Sequence, residues 1–176
     1  MTVDQFLAWA PGQRGRYELF SGVAYAMSPE RAGHAETKHA VAKALASAIA
    51  RAKLACWTLP DGMTVRVDRH TAHEPDALVY CGAKLPSDAL EVPEPVIVVE
   101  VLSPSTRHID ASAKLAGYFR LPSVFHYLIV DIDNRLVIHH ARSEGDVIST
   151  RILQTGVLDL SPPGFKVSVA KLFPRP

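Results

Sequence analysis

Four ionisable side chains have the types and spacing that chemistry could use: Asp76, Glu100, Lys114 and Glu18. Asp76 follows a proline at the head of the strand-like run Glu74-Pro75-Asp76-Ala77-Leu78-Val79-Tyr80. Glu100 sits near the end of Val96-Ile97-Val98-Val99-Glu100-Val101-Leu102, after a run of β-branched residues. A carboxylate that deep in an apolar strand is costly unless something positive meets it. Two such acids on neighbouring strands point to a divalent cation between them, Mg²⁺ or Mn²⁺, with the backbone carbonyl of Val101 as a third ligand. Lys114 belongs to a helical pattern able to fold back over the pair, and Glu18, from a hairpin, is a further carboxylate. The chemistry this set suits is phosphodiester hydrolysis. That reaction needs an activated water, offset phosphate charge and a protonated leaving oxygen. Carboxylate-held cations and a nearby lysine supply much of this. Each residue has an ordinary alternative. Asp76 can end a loop, Glu100 can pair with an arginine, Glu18 can be an exposed hairpin charge, and Lys114 a solvated helix lysine. It is the combination that points to a site.

The elements that must position these residues follow from pattern. Thr2 and Gln5 form a capping box ahead of a short helix carrying Phe6, Leu7 and Trp9. Residues 16–20 and 23–27 read as a hairpin with a two-residue Ser21-Gly22 turn, which puts Glu18 and Phe20 on one face. A helix is expected from about Gly33 to Lys53, with Val41, Leu45, Ala48, Ile49 and Ala52 on its apolar line and Lys38, Lys43, Arg51 and Lys53 off it. Short strands at 56–59 and 63–67 follow, then a polar loop at 68–73. After the strand at 75–80, the proline-rich 82–95 reads as an exposed loop. The run 96–102 suits a central strand covered on both faces. Ser103-Pro104-Ser105-Thr106 leads to a helix from about Asp110 to Arg120, with Leu115 and Phe119 spaced for its buried side. Lys114 and Tyr118 share a neighbouring face. Strands at 124–130, 136–140 and 147–153 follow, and the tail 167–173 reads as a short helix or strand. The order predicts an α/β fold, a mixed sheet flanked by helices, in one domain spanning residues 1–176.

Composition sets bounds. Hydrophobic residues are 48% and charged residues 21%, ordinary for a globular chain and unlike a disordered one. No apolar run is long enough to span a membrane, and the N-terminus lacks the layout of a signal peptide. Cys56 and Cys81 show no metal-type spacing and read as reduced thiols in a cytoplasmic protein. The formal net charge of +1 does not advertise a nucleic-acid binder, although a locally basic rim is compatible with it.

Several stretches, in order, resemble one family. Glu74-Pro75-Asp76 followed by Val98-Val99-Glu100-Val101-Leu102-Ser103-Pro104-Ser105-Thr106 is similar to the Uma-two family of endonucleases, within the PD-(D/E)xK restriction-endonuclease-like superfamily. Tyr17-Glu18-Leu19 with Gly22, Met27-Ser28-Pro29 followed by His34, Lys114 with Tyr118, and His126-Tyr127-Leu128-Ile129-Val130-Asp131 extend the likeness from about residue 15 to 172. The resemblance implies a restriction-endonuclease-like core with a divalent metal at Asp76 and Glu100. It also marks a departure. The superfamily's usual lysine, two residues after the strand glutamate, is Leu102 here, and Lys114 matches a lysine relocated to the following helix. His34 matches a family histidine that either makes a structural bond or approaches the metal site or Glu18. Arg107 and His108 are placed to touch phosphate, while Ser105, Thr106 and Asp110 read most simply as helix caps.

The expected activity is a Mg²⁺- or Mn²⁺-dependent endodeoxyribonuclease acting on DNA, with a homodimer expected because a double-strand break commonly needs two sites. Two other readings share the fold: a non-catalytic module binding nucleic acid or protein, and a metal-dependent hydrolase of a smaller phosphate ester.

Overall fold

The structure is a computed structural model that describes residues 1–102 and 111–174. Ser103-Pro104-Ser105-Thr106, Arg107, His108 and Asp110 therefore lie outside the described residues.

Three sheets and three α-helices make up the described chain. Helix α1 (Val3–Trp9) has the expected reciprocal capping box between Thr2 and Gln5. Strands β1 (Tyr17–Phe20) and β2 (Val23–Ala26) form the hairpin. Its turn residues Ser21 and Gly22 both have positive φ, as a tight two-residue hairpin turn requires. Helix α2 spans Ala32–Ala52. Strands β3 (Cys56–Pro60), β4 (Val65–Asp68) and β5 (Thr71–His73) follow. Strands β6 (Ala77–Cys81) and β7 (Pro95–Leu102) come next, and then α3 (Ala111–Arg120). Strands β8 (His126–Asp131), β9 (Leu136–Arg142) and β10 (Ile148–Leu153) complete the larger sheet. A small sheet of β11 (Val157–Leu160) and β12 (Phe165–Ser168), with a 3₁₀ turn at Val169–Leu172, closes the chain.

The main sheet runs β10-β9-β8-β7-β6-β3. Only the β7–β8 pair is parallel, joined by the crossover that contains α3; the other pairs are antiparallel. Strand β7 is central and covered on both faces. Ile97, Val99 and Val101 face a core shared with α2 residues Val41, Leu45 and Ile49 and with the β11–β12 sheet. Val98 and Leu102 face the opposite core, with Tyr118 of α3 and Tyr127 of β8. Alternation thus sends Glu100 to the α3 face. A second sheet, β2-β1-β5-β4, carries Glu18 on β1.

Four expectations are corrected. The stretch 68–73 is not simply a loop: Thr71, Ala72 and His73 form β5, all buried, pairing with β1 and β4. The 82–95 segment is not wholly exposed, because Val92 is buried and Glu91 bridges to Thr64. On α3 Leu115 and Phe119 do pack against the core, half-buried, but the most enclosed side chains are those of Lys114 and Tyr118, which the spacing sets on a neighbouring face. Cys56 and Cys81 are joined in a disulfide between directly opposed residues of β3 and β6. The two cysteines are therefore not the reduced thiols from which a cytoplasmic location was expected. Among the described residues, no helix is long and apolar enough to cross a membrane.

Candidate active site

The site forms where the two sheets and two helices meet. Register explains the pairing of the strand acids. Strands β6 and β7 are antiparallel with Ala77 opposite Val99, so one further step sets Asp76 across from Glu100. The Asp76 side chain locks this junction, its Oδ2 accepting from the Val101 N–H at 2.7 Å. Pro75 cannot donate to a ladder, which fits its position just before β6 rather than within it.

Helix α3 then presents Lys114 and Tyr118, four residues apart and on one face. The Lys114 ammonium donates to Glu100 Oε1 and to Glu18 Oε1, both at 2.9 Å. The Tyr118 hydroxyl donates to the same Glu100 oxygen at 2.7 Å. Glu18 Oε1 also accepts from the Glu74 N–H at 2.9 Å. One ammonium therefore ties a carboxylate of the small sheet to a carboxylate of the main sheet. The lysine is only 8% exposed, so its charge depends on those two partners rather than on water.

Helix α2 approaches from the other side. His34 Nε2 lies 2.7 Å from the Val101 carbonyl and 3.6 Å from Asp76 Oδ2, and Nδ1 lies 2.6 Å from Glu30 Oε1. The Val101 carbonyl and the Glu30 carboxylate are both acceptors, so only the doubly protonated ring makes both contacts at once. One turn further along, Lys38 is buried. Its Nζ lies 2.5 Å from Glu30 Oε1, 2.6 Å from Asp61 Oδ2 and 3.7 Å from Asp76 Oδ1. Arg16 pairs with Asp61 and, at 2.8 Å, with Glu74.

The electrostatics follow from burial. Glu100 is pushed up to about 7, chiefly by desolvation, with Asp76 and Glu18 adding repulsion and Lys114 opposing it. Asp76 is also raised by burial, against the pull of the Val101 N–H and of His34 and Lys38. Burial pulls Lys114 down, but Glu100 and Glu18 outweigh it and hold the ammonium well above its usual value. Tyr118 is raised by burial and by Glu100, so it stays a hydrogen-bond donor. His73 is lowered to about 4 by burial. It packs edge-on against Tyr118, and among the described residues neither ring nitrogen has a hydrogen-bond partner.

The donor set can be tested against a divalent cation. Among the described residues, no group of three or more His, Cys, Asp or Glu side chains gathers as a metal-holding set. The oxygens available are those of Asp76 and Glu100, with the Val101 carbonyl, which keeps a second lone pair beside its bond from His34. A small hard cation such as Mg²⁺ keeps several waters and takes only one or two carboxylates from the protein, so an oxygen-only pair suits it. Charge balance agrees. Among the described residues, the carboxylates Glu18, Glu30, Asp61, Glu74, Asp76 and Glu100 face the cations Lys114, Lys38 and Arg16. Even with His34 charged, the acids are in excess.

All four side chains singled out from the sequence thus share one locus. His34 comes to Asp76 and Val101 rather than to Glu18. Sequence reasoning missed Lys38, placed among solvated lysines, and the bond from Tyr118 to Glu100. For Lys38 a signal existed: it lies one turn from His34 and three residues before Val41, on the inward line.

The fold and the site together define a restriction-endonuclease-like protein. A solved structure described as a putative nuclease belonging to DUF820, from Anabaena variabilis, superposes with a TM-score of 0.76 over 98% of this chain and 97% of its own, at 14% identity. The chain also matches the Uma2 (Uma-two) family model, described as a putative restriction endonuclease, over residues 3–170, and it belongs to that family. It is 26% identical over 185 aligned positions to the uncharacterized protein slr1290 of Synechocystis sp., covering 98% of this chain and 91% of that protein.

Proposed function

We propose that this protein is a Mg²⁺- or Mn²⁺-dependent endodeoxyribonuclease that hydrolyses phosphodiester bonds in DNA. The observation that carries the reading is the buried Lys114 ammonium, bonded to Glu100 and Glu18 beside Asp76. A plain core has no use for three acids and a lysine drawn from two sheets and a helix.

Asp76, Glu100 and the Val101 carbonyl would hold the cation. When bound, it supplies a more acidic water and offsets charge on the phosphate. The chain's own residues do the positioning. Asp76 is fixed by the Val101 N–H, and Glu100 by Lys114 and Tyr118. Lys114 is set to orient the attacking water and to meet the charge that develops on the phosphate. Glu18 keeps that ammonium in place from the second sheet. The relocated lysine thereby reaches the strand glutamate from the following helix, and Leu102 is free to pack in the core. A homodimer, giving two such sites, is the assembly this reading favours for cutting both strands.

The test is cleavage of supercoiled and of single-stranded DNA with Mg²⁺ or Mn²⁺ by the wild type, Asp76→Asn and Lys114→Ala. Metal-dependent nicking by the wild type, lost at least 100-fold in both variants, is expected on the scale of removing a charge-stabilising group (about 10²–10³). Equal cleavage by all three proteins would mark a contaminant. No cleavage, with duplex binding retained, would turn the reading to a non-catalytic binding module, which the small net charge does not exclude. Cleavage of small phosphodiesters but not DNA would point to the smaller-ester hydrolase.

A further inference from the structure

We propose that the groove between α2 and the 3₁₀ turn at Val169–Leu172 is a docking track for the phosphodiester backbone of DNA, leading to the acid cluster. The inference rests on the DNA-cleaving reading above and deepens it by naming the surface that holds the substrate.

The groove has a volume of about 870 Å³. Ala44 and Phe173 are buried at its floor, and Lys43, Arg51 and Lys171 stand exposed along it. Among the described residues that line it, Glu36 is the sole acid. From Thr37 to Lys53 the chain carries Lys38, Lys43, Arg51 and Lys53 and no Asp or Glu. A lysine on a solvated helix gains support from a carboxylate three or four residues away. The positions at that spacing from Lys43 are His39, Ala40, Ala46 and Ser47. Lys43, Arg51 and Lys171 accordingly have no ion-pair partner among the described residues. Arg51, in the last turn of α2, suits the helix C-terminus on its own account, but Lys43 at mid-helix has no such explanation. Against a formal net charge of +1 for the chain, this is a local excess of positive charge, and an anionic polymer is its complement.

The groove also leads somewhere. It begins at Ala35, the residue after His34, whose ring reaches the Val101 carbonyl beside Asp76. The ridge His39, Lys43, Ser47 and Arg51 repeats every four residues along α2. From His39 to Arg51 it runs for about 18 Å, the rise of about five base pairs. A small phosphate ester has no use for a track of that length, whereas a strand lying on it is carried toward the acid cluster.

The test is fluorescence anisotropy of a short labelled DNA duplex in chelator, over a series of salt concentrations, on the full chain. The proteins are the wild type, a groove variant (Lys43→Gln, Arg51→Gln and Lys171→Gln) and a control (Arg69→Gln, Lys84→Gln and Arg151→Gln) that removes the same charge from exposed positions outside the groove. For the groove variant the slope of log affinity against log salt should be shallower by about 2–3, at about 0.9 per lost phosphate contact, with binding roughly 10-fold weaker or more at moderate salt. The control should keep the wild-type slope. Equal losses in both variants would reduce the effect to net charge and overturn the inference. So would a wild type that binds no duplex, or a groove variant that loses affinity for polyglutamate but not for duplex, which would assign the groove to an acidic protein partner. If the groove variant does not fold, Lys43→Gln alone decides, with a slope shallower by about 0.9 expected and an unchanged slope overturning the inference. A wild type that cleaves DNA, beside a groove variant with unaltered binding, would sink the groove and leave the nuclease reading standing. Groove-dependent binding without cleavage in Mn²⁺ would sink the nuclease reading and keep the groove.

Discussion

Glu100 shows how a side chain's surroundings turn into a measurable property. Its carboxyl is raised from 4.5 to about 7, with burial the largest cause. An acid whose folded pKa lies above its unfolded value binds more protons when folded. Its contribution to stability is fully present below about pH 4.5 and is lost as pH rises through about 7, on the order of 3 kcal/mol in all. In chelator, the stability of Glu100→Gln relative to wild type should therefore improve across that window, followed by urea midpoints at successive pH values. A constant difference would show that Glu100 does not titrate there. Lys114 makes the converse case. Lys114→Met leaves Glu18 and Glu100 buried without their cation and should cost about 3–5 kcal/mol. Adding Glu18→Gln and Glu100→Gln should recover much of that in the same assay. These residues were legible in the sequence because an acid among β-branched neighbours is an anomaly that demands a partner. Lys38 was passed over although its spacing from Val41 set it on the inward line, because a lysine in an alanine-rich helix looks like an ordinary solvated charge. The pairing that makes its burial tolerable, with Asp61 after β3, is made only by the fold.

Among the elements, α3 is the one whose docking sets the site. It crosses β4 and β5 at Gly117, where an added Cβ would meet Val67 Cγ1 at 3.5 Å and His73 Nε2 at 3.7 Å, ordinary contact distances. Gly117→Ala should therefore fit and gain roughly 0.5–1 kcal/mol from helix propensity. Gly117→Leu should strike Val67 and His73, lift the helix, and carry Lys114 and Tyr118 away from Glu100. Thermal melting and Mn²⁺ affinity measured together separate the two variants. If Gly117→Leu left both unchanged, the close docking of α3 would not control the site. Helices α1, α2 and α3 and the central strand β7 could all be read from periodicity and caps. Strand β5 could not, because Thr71-Ala72-His73 is short and polar in composition. It becomes a strand only by pairing with β1 and β4, and that pairing brings Glu18 over the main sheet. Strand β11 was missed for the same reason: its pairing with β12 spans a turn of prolines and glycine that reads as loop.

On the scale of the whole molecule, the site is a seam between two sheets, clamped by helices from either side. Much of this architecture was readable in the ordered run of motifs, since the acids, the lysine and the strands arrive in the order that the restriction-endonuclease-like fold requires. The disulfide was not readable, because two cysteines 25 residues apart carry no pairing signal until β3 and β6 are set edge to edge. A cross-link closing a loop of that size is worth about 3.5 kcal/mol on loop-entropy grounds. Cys56→Ser with Cys81→Ser should lower stability by an amount of that order and leave Mn²⁺ binding intact, since the bond joins the strands at their ends farthest from Asp76. Lost Mn²⁺ binding in a folded double variant would show that the edge strand does reach the site.

If Asp76 and Glu100 hold a divalent cation at the seam, anomalous scattering from a Mn²⁺-soaked crystal will show it. The expected map has a strong peak bonded to Asp76 and Glu100 carboxylate oxygens, absent in Asp76→Asn. A peak elsewhere, or none at this pair in a protein that still cleaves DNA with Mn²⁺, would contradict it.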